Sequence, residues 1–86
     1  MALNDERLFG SIAVAKEIGI SLRQLYYWVH VLGVVQPQIR QHGRRKFRRF
    51  ARSDVKKLDQ VRRLVGRGYT LKAAVAMLRR RSSERG

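Results

Sequence analysis

With 86 residues the chain holds one small domain, able to bury only about 60% of its unfolded surface and leaving little room for an enclosed catalytic pocket. It has no cysteine, which excludes disulfides and thiolate metal sites, and its apolar runs are far too short to span a bilayer. The formal net charge is +14, and self-repulsion on that scale points to a polyanionic partner, nucleic acid before an anionic membrane or an acidic protein.

Residues 1–7, MALNDER, read as a flexible polar lead; Asp5, Glu6 and Arg7 do not resemble a signal peptide. A soluble, cytoplasmic, nucleoid-associated protein is therefore expected. Leu8 and Phe9 are placed to pack back on a first helix as a hydrophobic staple. That helix is expected to be capped by Ser11, with Ile12, Val14, Ala15 and Ile18 apolar, and closed by Gly19. Ser21 then caps a second helix, giving the helix-turn-helix arrangement, whose second helix lies in the DNA major groove.

At about 100° per residue, Leu22, Leu25, Val29 and Leu32 of the second helix share one stripe. Tyr26 and Trp28 flank it. The opposite face carries Arg23, Gln24, Tyr27, His30 and, at its limit, Val31, a set rich in groups that bond base edges or phosphates. Gly33 ends the helix, Val34-Val35 form a buried link, and Pro37 forbids helical continuation.

Residues 38–50, QIRQHGRRKFRRF, read as a two-stranded β-hairpin turning near Gly43. Ile39, Phe47 and Phe50 are its expected core anchors; the last two are three apart, so a bulge or an early strand end is expected. Residues 1–35 balance three basic against three acidic side chains, whereas residues 36–52 hold seven basic and none acidic. A solubilising loop mixes both signs; a hairpin of one sign after a helix-turn-helix reads as a wing lying along phosphates.

Ser53 is expected to cap a third helix, with Asp54 at its positive end and Val55, Leu58, Val61, Leu64 and Val65 as the buried stripe. Gly66 and Gly68 bracket the exit. Thr70 caps a fourth helix running to about Arg80, with Leu71, Ala74, Val75 and Leu78 inward and Met77 at the margin. Residues 81–86 read as a disordered basic tail, leaving residues 8–80 as the folded domain. The predicted fold is mainly α: a winged helix-turn-helix with a small two-stranded β-hairpin wing and a second helix pair.

The ordered series SIAVAKEIGIS-LRQLYYW, a proline after the second helix, KFRRFARSDVKKL and VRRLVGRGYTLKAAVAML resembles the DNA-binding domain of the MerR family of bacterial transcription regulators over about residues 11–80. Phe47-Arg48-Arg49-Phe50 is similar to the family's aromatic-Arg-x-aromatic wing strand, and Gly68-Tyr69-Thr70-Leu71 to its joint between the last two helices. The resemblance implies that Arg23 and Tyr27 contact the major groove or its phosphates, and that Arg48 and its wing neighbours contact backbone. Tyr26, Val29 and Lys46 stand where the family usually has arginine, an acidic residue and glycine. The second helix is also about one residue longer before Gly33, as in members fused to cobalamin-type sensor domains. The family's dimerisation helix and effector domain have no counterpart here, so a single-domain relative or a fragment of a longer regulator is expected.

No catalytic constellation, cofactor motif or metal site is legible; His30 and His42 lack a neighbouring carboxylate cluster. The expected DNA-binding residues are Ser21, Arg23, Gln24, Tyr27 and His30 on the helix and Arg40, Arg44, Arg45, Lys46, Arg48 and Arg49 on the hairpin. The expected partners are double-stranded DNA and further copies of the chain on adjacent half-sites, with no membrane. The expected function is a sequence-specific transcription regulator. The alternatives are a phage-type excisionase or packaging-recognition protein, and a basic adaptor docking an acidic protein.

Overall fold

The computed structural model describes residues 8–85, and the side chains of residues 8–80. The expected flexible lead, residues 1–7, lies outside the described residues. The chain runs β1 (Phe9–Gly10), α1 (Ser11–Ile18), α2 (Leu22–Tyr26) with a π-helical continuation over Tyr27–Val31, β2 (Gln38–His42), β3 (Arg45–Phe50), α3 (Arg52–Gly66) and α4 (Leu71–Arg85). The architecture is mainly α, a helix-turn-helix and a second helix pair joined by a small antiparallel sheet, as the winged helix-turn-helix reading requires.

One core unites these elements. Val14 and Ile18 of α1, Leu25, Trp28 and Val29 of the second helix, Phe50 of β3, Leu58 and Val61 of α3, and Ala74, Val75 and Leu78 of α4 are all buried. Each large side chain so buried contributes on the order of 1.5–3 kcal/mol before entropy is counted. Among the described residues no polar or charged side chain is buried, so the core itself holds no reactive group. The apolar spacing of α3 and α4 delivers Leu58, Val61, Ala74, Val75 and Leu78 as predicted, but Val65 is exposed, while its neighbour Leu64 packs against the core.

The sheet has three strands, not two, in the order β1-β3-β2. Phe9 pairs with Phe50 and Gly10 with Arg49, so Phe9 enters the fold as a strand residue. Pairing between β2 and β3 runs without interruption from Gln38↔Arg49 to His42↔Arg45, and no bulge interrupts it. Strand alternation therefore puts Phe47 and Phe50 on opposite faces. Phe50 goes to the core, Phe47 is half-buried under the Arg49 guanidinium, 5.3 Å from its ring centroid, and Ile39 is left 56% exposed. The turn falls at Gly43, whose φ of 63° is the left-handed conformation a tight hairpin demands.

Two helix starts differ from expectation. Gly10, not Ser11, is the N-cap of α1, with no side-chain cap bond, and Ile12 is 62% exposed. Ala51, not Ser53, is the N-cap of α3; the Asp54 carboxylate accepts from the Ala51 N–H at 3.0 Å instead. At the other end, α4 continues to Arg85, past the expected stop near Arg80. Over residues 81–85 the backbone is helical where a disordered tail was expected, since arginine is a strong helix former and no glycine or proline intervenes before Gly86. Gly86 lies outside the described residues.

Candidate nucleic-acid interface

The second helix of the helix-turn-helix starts with a reciprocal pair of bonds. The Ser21 hydroxyl accepts from the Gln24 N–H at 3.0 Å, and the Gln24 side-chain oxygen accepts from the Ser21 N–H at 3.1 Å. This capping box satisfies two otherwise unpaired donors. It also engages the acceptor oxygens of two residues expected to face DNA, leaving the Ser21 O–H and the Gln24 amide NH2 as free donors. The preceding turn closes at Gly19, with φ of 77° and its N–H bonded to Ala15 O at 2.9 Å.

Past Tyr26 the helix widens: the Leu32 N–H bonds to Tyr27 O, five residues back, at 3.1 Å. Within this π-turn both Trp28 and Val29 are buried in the core. Trp28 is therefore a core residue and not a flank. Arg23, Tyr27 and His30 stay exposed, as do Tyr26 and Val31. The Tyr26 and His30 rings lie side by side at 5.9 Å.

The far end of this helix is tied to α4. The Arg79 guanidinium donates to Leu32 O at 2.7 Å, across 47 positions of sequence. A carbonyl at a helix C-terminus lacks an intrahelical partner and sits at the negative end of the helix dipole, so a cation there satisfies both.

The hairpin presents its cations in two groups. Lys46, Arg48 and Arg49, with Phe47, line one wall of an open groove of about 270 Å³ whose other wall is Ser11, Ile12, Leu22 and Tyr26. The sheet thus brings hairpin cations beside the helix-turn-helix. Arg44 and Arg45 stand exposed at the hairpin turn and do not line this groove. Arg40 is exposed with its guanidinium bonded to the Gln38 side-chain oxygen at 2.8 Å. Arg49 is half-buried and lies so close to Gly10 that a Cβ there would meet its Nη1 at 2.9 Å; it is partly a packing residue.

Three residues near this surface were not among those expected: Ile12, Tyr26 as a groove residue, and Arg79. By sequence Ile12 counts among the apolar positions of the first helix, and no local pattern links Arg79 to a carbonyl on another element. The departure of Tyr26 from the arginine usual in the resembling family was the one available signal.

A family model described as "MerR HTH family regulatory protein" matches residues 12–81. No curated protein matches the chain.

Proposed function

The chain belongs to the MerR family of helix-turn-helix regulatory proteins, and we propose that it is a bacterial transcription regulator that binds duplex DNA sequence-specifically, helix in the major groove and hairpin on phosphates. The observation that carries this is the segregation of charge: a hairpin region with seven cations and no acid, held by its sheet against the helix-turn-helix. In this reading Arg23, Gln24, Tyr27 and His30 face base edges and nearby phosphates, with Ser21 positioning the helix start. Arg40, Arg44, Arg45, Lys46, Arg48 and Arg49 act as the wing, tracking the backbone. Further copies on adjacent half-sites supply selectivity that one helix and one wing do not reach.

The test separates the two surfaces. Binding to a labelled duplex weakens with salt with a slope of about −0.9 per phosphate neutralised. Arg45→Ala lowers affinity for all sequences alike and flattens that slope. Arg23→Ala costs about 1–3 kcal/mol on the preferred site and relaxes base preference. Salt-independent affinity, or equal losses from both substitutions on preferred and random duplexes, contradicts the assignment.

A further inference from the structure

The proposed reading helix is unusual in what it exposes. Between Leu22 and Leu32 the only lysine or arginine is Arg23, while the cations crowd the hairpin. Beside the exposed Arg23, Gln24 and His30, the helix shows three large apolar or aromatic side chains to solvent: Val31 is 65% exposed, Tyr27 47% and Tyr26 42%. These are large side chains in a small protein that has a core available, and the π-turn that buries Trp28 and Val29 leaves Val31 outside. Tyr27 and Val31 bound that π-turn at its two ends.

In the major groove every base presents hydrogen-bonding groups, but only thymine adds an apolar one, its C5 methyl. Guanine is most often read by a bidentate arginine or lysine, and this helix has a single candidate for that role. The strongly basic hairpin region alongside supplies the complementarity for a polyanion and argues against an apolar protein as the occupant of the same face. Resting on the DNA-binding reading above, we propose that Tyr27 and Val31, with Tyr26 beside them, form an apolar reading surface that selects thymine methyl groups. Hairpin cations fix the register through phosphates; the helix discriminates by contact with methyls. Val31 and Tyr26 are then specificity residues that charge and hydrogen-bonding patterns alone do not mark.

The experiment starts from duplexes selected by the protein out of a random pool. Each thymine of the selected site is replaced singly by deoxyuridine, which removes the methyl and keeps base pairing. One or more positions should lose affinity about fourfold, the ratio expected for one buried methyl-sized group. In Val31→Ala or Tyr27→Ala that penalty should shrink toward unity at a particular position. Circular dichroism and thermal unfolding confirm that the variants remain folded. Selective binding in which every deoxyuridine substitution is neutral overturns the inference while leaving the proposed function standing. A penalty unchanged in both variants overturns it as well, since the methyl is then read by other groups. Failure to bind any duplex removes both readings, and capture of an apolar protein surface that Val31→Ala abolishes would reassign the face.

Discussion

Ser21 and Ser11 look alike in sequence, each a serine before an apolar helical period, yet only Ser21 caps. The difference is what precedes them. Ser21 and Thr70 follow turns containing Gly19 and Gly68, where the chain is free to aim a side-chain oxygen back at the helix, and Thr70 accepts from the Ala73 N–H at 3.1 Å. Ser11 follows a strand that ends at Gly10, and Ser53 follows one that ends at Phe50; there the ladder sets the extended backbone of the cap, and Gly10 and Ala51 take that position. Helix starts were thus legible after turns and not after strands. Ser21→Ala should cost about 1 kcal/mol of folding free energy, and Ser11→Ala much less, measured by urea unfolding; equal losses would contradict the capping assignment. Phe50, fully buried and joining sheet to helices, should cost about 3–5 kcal/mol on replacement by alanine, whereas exposed Ile39→Ala should shift the midpoint little.

At the scale of elements, helical periodicity served well for α3 and α4 because their partners lie on one side. It served less well for the second helix, where a π-turn changes the angular step midway and buries Trp28, and for the hairpin, where a third strand was hidden in two residues. A strand of that length carries no readable alternation; its existence depends on β3 offering an edge. The bond from Arg79 to Leu32 O is likewise invisible to local pattern, yet it fixes the end of the second helix to α4. Arg79→Ala should destabilise the fold by about 1 kcal/mol and speed amide exchange at Leu32 and Val34, whose N–H groups bond back to Tyr27 O and Trp28 O, with Arg79→Lys intermediate. If the proposed DNA function is correct, the same substitution should weaken binding to the preferred site more than to random duplex, because a loosened helix end blurs base contacts before phosphate contacts. Unchanged exchange at Leu32 and Val34 would show that the bond does not hold the helix end in solution.

For the molecule as a whole, the order β1-β3-β2 leaves β2 at the outside of the sheet, with no strand on its other side among the described residues. Its backbone donors and acceptors along that side are open to any extended chain, the circumstance in which β proteins polymerise. Strand shortness, Pro37 just before it, and the like charges of Arg40, Arg44, Arg45 and Arg48 guard against this, since two such edges brought together set cation against cation. The arginines proposed to grip phosphate therefore also keep copies of the protein apart. Replacing all four by glutamine, as one would do to abolish DNA binding, should yield a protein that folds but becomes turbid and binds amyloid dyes at concentrations where the parent stays clear. Light scattering that stays flat for the quadruple variant would show that strand shortness and Pro37 suffice. The expected turbidity would mean that a basic hairpin of this kind cannot drift toward neutrality even when its DNA site is lost, because colloidal stability holds those arginines in place independently of recognition.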